Sequence, residues 1–106
     1  MKRVLLDHCV PAPFRKCLVG HDVSITSEQG GETLSNGELL RTAEEAGFDV
    51  LITADKNLRY QQNLAGRRIA IIELPTNRLR LVNGLATDVL AALSTISPVD
   101  YVQITL

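Results

Sequence analysis

Tryptophan is absent from this 106-residue chain and aromatics make up only 4% of it, so whatever core forms must be aliphatic. Cysteine is nearly as scarce. Cys9 and Cys17 stand in no CxxC or zinc-knuckle spacing, so they read as small core residues in a reducing setting rather than as a disulfide or a nucleophile. No apolar run is long enough to span a bilayer and no leader pattern is visible, so the expected location is the cytoplasm, with no membrane partner. The formal net charge of −1 lacks the strongly basic balance of a domain held to nucleic acid by bulk electrostatics. Nor is there a phosphate loop: Gly30-Gly31 lies between polar runs without a following Lys-Ser/Thr.

What is present is the balance of a folded globular protein, 45% hydrophobic and 22% charged, consistent with one domain over residues 1–106. Charge is unevenly spread. Residues 56–80 carry Lys56, Arg59, Arg67, Arg68, Arg78 and Arg80 against a single acid, Glu73, which reads equally as a solvated face or as a binding patch.

Along the chain, residues 3–6 (RVLL) form a short apolar run ending in Asp7 and followed by Pro11 and Pro13, which predicts a buried strand, a turn, and a helix from about Pro13 to Gly20. Residues 21–25 alternate into a second strand, and 26–33 form a loop. Ser35 has the N-cap position with Glu38 three residues on, and Leu39, Leu40, Ala43 and Ala46 supply a helical stripe that Gly47 ends. Residues 49–53 are a β-rich run just before Asp55, and a short polar helix around 58–64 stops at Gly66. Residues 68–74 make another buried strand. After Pro75, Leu79, Leu81, Val82, Leu85, Val89, Leu90 and Leu93 form the face of one long helix, and residues 101–106 a closing strand.

This order predicts an α/β fold of three layers, α/β/α, around a mostly parallel five-stranded sheet. In such sheets the functional crevice lies outside the carboxyl ends of the strands, where strand order reverses. With order 2-1-3-4-5 the reversal falls between the first and third strands, which carry Asp7 and Asp55 at their ends. Glu38, in the first turn of its helix, is a candidate third acid. Converging carboxylates repel unless a cation compensates them, and an all-oxygen set suits Mg2+ or Mn2+, which can orient a phosphodiester and activate water. Each acid also has a structural explanation: Asp7 in the turn before Pro11, Glu38 in a capping box with Ser35, Asp55 as an N-cap.

The run RVLLDHCVP, then GHDV, LSNGELL and FDVLITADKNL, resembles the small PIN-like proteins, compact relatives of PIN-domain ribonucleases that include toxins of the VapC type. By motif the resemblance covers roughly residues 1–75, and by element order the whole chain. It implies metal-dependent hydrolysis of RNA, with Asp7 and Asp55 binding Mg2+ or Mn2+ and Glu38 ligating directly or through water. Thr53 matches a Thr or Ser near the family site. Such proteins commonly read Asp-Glu-Asn where this chain has Asp7-His8-Cys9, Asp at the position of Asn36, and a fourth acid at Asn57. Asn36 and Asn57 retain a carbonyl oxygen for the metal. The resemblance further implies a cognate antitoxin partner and a possible homodimer.

Lys56 and Arg59, with Tyr60, follow Asp55 closely and read either as a phosphate and base contact or as a solvated helix. Arg78 and Arg80 open the helix after the fourth strand, and Arg78 is the better placed to touch substrate. His8 reads as a proton shuttle, an RNA contact, or a polar loop residue, and its spacing with His21 and Cys9 matches no zinc pattern. Two further readings stand beside the ribonuclease: a catalytically weak PIN-like module that binds RNA or a protein, and a phosphatase-like hydrolase, which no phosphate loop supports.

Overall fold

The computed structural model describes residues 2–26, 36–56 and 68–106, apart from the side chains of residues 36 and 37. Ser35, the Gly30-Gly31 loop and the short helix expected around 58–64 lie outside the described residues. Five strands, β1 (Arg3–Leu6), β2 (Asp22–Ile25), β3 (Val50–Thr53), β4 (Ala70–Glu73) and β5 (Tyr101–Gln103), pair in the order β2-β1-β3-β4-β5 with every pair parallel. The mostly parallel five-stranded sheet is as expected, and this order puts the reversal between β1 and β3.

The apolar runs become the inner strands for a physical reason. A strand covered on both faces must be apolar at successive positions rather than at alternate ones. Val4, Leu5 and Leu6, all four residues of β3 and all four of β4 are buried accordingly. Alternation then divides them between two layers. Val4, Leu6, Val50, Ile52, Ala70 and Ile72 pack with Phe14, Leu18, Val82, Val89 and Leu93. Leu5, Leu51, Ile69 and Ile71 pack on the other face with Leu39, Leu40, Ala43 and Phe48 of α1 (Asn36–Glu45) and the residues after it. The result is the expected three-layer α/β arrangement.

Three local readings need correction. The first helix is a 3-10 segment, η1 (Ala12–Cys17), its path set by Pro11 and Pro13, which constrain φ and remove amide donors. The single long helix is two, α2 (Leu79–Asn83) and α3 (Ala86–Thr95), separated at Gly84-Leu85. Spacings of three and four continue through Val82, Leu85, Val89 and Leu93, so the apolar stripe is unbroken although the helix is not. The closing strand stops at Gln103 rather than continuing to 106.

The end of α1 matches its sequence closely. Gly47 has φ +84°, the Gly47 N–H donates to the Glu44 carbonyl (3.0 Å) and the Phe48 N–H to the Ala43 carbonyl (3.0 Å), which together make a Schellman cap. A Cβ at Gly47 would also stand 2.8 Å from an Arg3 guanidinium nitrogen. The cap turns the chain so that Asp49 meets Arg3 and β3 enters beside β1.

Candidate functional site at the carboxyl edge of the sheet

Register decides which side chains meet at the end of the sheet. Leu6 stands opposite Ile52 and Ile25, so the next residue, Asp7, comes beside Thr53 and Thr26; Thr53 stands opposite Glu73, and Glu73 opposite Gln103. A row of polar residues thus crosses all five strands one step beyond an aliphatic row. Four of its members are buried: Asp7 is 2% exposed, Thr26 1%, Thr53 0% and Glu73 1%.

Burying a charge is costly unless hydrogen bonds replace the lost water. Asp7 has such partners on both oxygens. Its Oδ1 accepts the His8 backbone N–H (2.7 Å) and the His8 ring Nδ1 (2.9 Å), and its Oδ2 accepts the Thr53 hydroxyl (2.9 Å) and lies 3.7 Å from the Cys9 thiol. Thr53 Oγ1 in turn accepts the Asp55 backbone N–H (3.0 Å). One hydroxyl therefore ties the ends of β1 and β3 together across the point where strand order reverses.

Cys9 completes this network. Its sulfur accepts the Ala54 N–H (3.3 Å) and lies 3.6 Å from Thr53 Oγ1. Burial pushes the Cys9 thiol above its ordinary value, and the nearby Asp7 charge acts in the same direction, outweighing the hydrogen bonds from Thr53 and Ala54. A cleft of about 310 Å3 opens beside these groups, lined by Asp7 through Ala12 and by Ile25 and Thr26.

The expected site residues are only partly gathered here. Asp7 and Thr53 form the centre, Asp55 is half-buried and joined to it through its backbone, and Lys56 is exposed next to Asp55. Glu38 lies in the first turn of α1 and is exposed. Arg78 is exposed just before α2, its N–H donating to Thr76 Oγ1 (3.2 Å). Asn57 and Arg59 lie outside the described residues, as does the side chain of Asn36. Among the described residues no group of three His, Cys, Asp or Glu stands close enough to hold a metal ion. Mg2+ is commonly held by one or two carboxylates with water and substrate phosphate filling the other positions; Asp7 and Asp55 follow the ends of neighbouring strands, and both Asp7 oxygens are engaged by protein groups.

Two groups at this end of the sheet were given no functional role in the sequence reading. Glu73 appeared only as an acid in a basic stretch, yet it is buried and its Oε1 accepts the Tyr101 hydroxyl at 2.7 Å. Its partner lies 28 residues away and on another strand, so nothing local marked the pair. Cys9, read as a small core residue, is half-buried beside Asp7; its position two residues after an acid at a strand end was the only available signal.

Fold and site together define an open parallel α/β protein in which a buried acid, Asp7, stands at the end of β1 beside the topological switch point and lines a cleft on the β2 side of that strand. Comparison with protein-family models, curated proteins and solved structures finds no match, so the PIN-like resemblance rests on the sequence motifs.

Proposed function

We propose that this chain is a PIN-like, metal-dependent ribonuclease working at the Asp7 crevice. The observation that carries the reading is the buried Asp7 carboxylate at the carboxyl end of β1, linked through the Thr53 hydroxyl to the segment bearing Asp55. An aliphatic residue in place of Asp7 would serve the core without four hydrogen-bonding partners, so an acid kept there at the expected crevice favours a working role. Asp7 and Asp55 would hold Mg2+ or Mn2+, with Glu38, Asn36 and Asn57 as additional oxygen donors. Such an ion, when bound, would neutralise charge on a scissile phosphodiester and lower the pKa of attacking water. Thr53 orients the Asp7 carboxylate by donating to Oδ2, and His8 orients it from the other side. Lys56, Arg59 and Arg78 would meet substrate phosphates.

On this reading the chain acts on RNA in the cytoplasm as the toxin half of a toxin–antitoxin pair, with its antitoxin covering the crevice and a homodimer as a further expected assembly. No described helix is long and apolar enough to cross a membrane. A second reading, a PIN-like module that binds RNA or a protein with little catalysis, is favoured by one observation: no described group of three acids, thiols or imidazoles converges on a metal position.

Calorimetry with Mn2+ separates the two. The ribonuclease reading expects binding to the wild type, weakened at least tenfold in Asp7→Asn and Asp55→Asn and less in Glu38→Gln, with circular dichroism showing that each variant is folded. No binding to the folded wild type at millimolar Mn2+ would overturn it and favour the binding module.

A further inference from the structure

We infer that the outer surface of η1 and α2 is a binding face for the phosphate backbone of single-stranded RNA. The identity of the polyanion rests on the ribonuclease reading above, whereas the surface itself rests on where the fold puts its charges. The two elements are 62 residues apart at their nearest ends, Cys17 and Leu79, yet they pack together. Phe14, Leu18 and Val82 share one core layer, and the Cys17 thiol donates to Asn83 Oδ1 (3.6 Å). Arg15 and Lys16, in the last turn of η1, are thereby brought to the same side of the sheet as Arg78 and Arg80. Lys16, Arg78 and Arg80 are exposed, and Arg15 is half-buried.

Among the described residues Lys16, Arg78 and Arg80 form no ion pair. The sequence holds no Asp or Glu between Asp7 and Asp22, or between Glu73 and Asp88. Asp22 is engaged with Arg3 (3.8 Å) at the other end of the sheet, and Asp88 lies in the first turn of α3. On the opposite layer, α1 carries Glu38, Glu44 and Glu45 against Arg41. A net charge of −1 for the whole chain is therefore compatible with a local cluster of cations.

The basic face also leads to the site. Ala12, the first residue of η1, lines the Asp7 cleft, and Lys16 follows four residues later, about 8 Å along a 3-10 helix. A strand of RNA gripped by Lys16, Arg78 and Arg80 through its phosphates could enter the cleft over Pro11 and Ala12. Phosphate contacts of this kind carry no sequence information, so they would set orientation and affinity and leave selection to the cleft.

The test is fluorescence anisotropy of a labelled oligouridylate in EDTA, where metal-dependent cleavage is suppressed. Lys16→Glu combined with Arg80→Glu is expected to weaken binding at least tenfold, and Lys16→Gln combined with Arg80→Gln by a smaller factor with a salt slope shallower by about 0.7 per cation removed. Arg41→Gln on α1 is expected to leave binding unchanged. Wild-type affinity in the folded double variants, absence of RNA binding at low salt, or equal competition by polyglutamate would overturn the inference. Face-dependent RNA binding without Mn2+-dependent cleavage would keep this surface and remove the nuclease reading. Cleavage and binding indifferent to both double variants would do the opposite.

Discussion

The two ends of the sheet use polar residues in opposite ways. At the amino end, the Arg3 N–H donates to Asp49 Oδ2 (2.8 Å), its guanidinium donates to the Ala46 carbonyl (2.6 Å) and lies 4.6 Å from the centroid of the Phe48 ring. Arg3, Ala46 and Asp49 are exposed although Phe48 is buried, and a cavity of about 300 Å3 beside them is lined by Lys2, Asp49 and Arg68. At the carboxyl end, Asp7, Thr53 and Glu73 are buried. Both ends join strands, but water can replace a lost partner only at the first. A fold that needed only a latch could have used the exposed kind twice, and the buried kind at the carboxyl end is what the proposed function builds on.

Four measurements test this contrast. The aliphatic row beneath both ends sets the scale: Ile52→Ala, at a fully buried position, is expected to cost about 2–5 kcal/mol in urea unfolding. Thr53→Val keeps the shape but removes the hydroxyl that Asp7 and the Asp55 N–H both use, and is expected to cost about 1–3 kcal/mol. Its effect should shrink when combined with Asp7→Asn, because the two residues share one bond. Asp49→Ala, at the exposed end, is expected to cost less than about 1 kcal/mol. Equal losses for Thr53→Val and Asp49→Ala would break the contrast.

The smallest expected effect is a pH dependence at the amino end. The Lys2 backbone N–H donates to His21 Nδ1 (3.1 Å), and partial burial, aided by the Lys2 charge, holds His21 below its ordinary value. A histidine with a lowered folded-state pKa contributes stability above its unfolded value of about 6.5 and loses that contribution as pH falls through the lowered value. A slight drop in Tm between about pH 7 and pH 5 should therefore be smaller in His21→Gln than in the wild type. Parallel Tm profiles for the two proteins would remove His21 as its source.

Much of the fold was legible because burial on both faces leaves a plain mark on a sequence. RVLL, VLIT and the core of RIAIIEL have no alternation, as central parallel strands require, and the Gly47 stop after a helical stripe is a local feature of φ alone. The break at Gly84-Leu85 was not legible, because the layer it covers needs apolar residues at the same spacing from one helix or from two. Similarly, Asp7 could be placed at a strand end from its position after RVLL. Its partners could not, since Thr53 is 46 residues away and reaches it only through parallel register. Glu73 was the least legible of all: residue type says solvent, and the Tyr101 hydroxyl that meets it comes from another strand.

The all-parallel pairing has a consequence for how the chain assembles. No two of its neighbouring strands can be joined by a tight turn, since each parallel pair requires a crossover. β1, made first, is flanked by β2 and β3 in the finished sheet, so it must wait for residues as distant as 50–52 before both its sides are covered. Loop closure over such separations precedes the contacts that reward it, which places this small domain among slower folders than a helical bundle of equal length. The bond between Thr53 and Asp7 joins the first strand to the third. It should therefore form late, leaving the crevice unassembled until much of the chain has been synthesised.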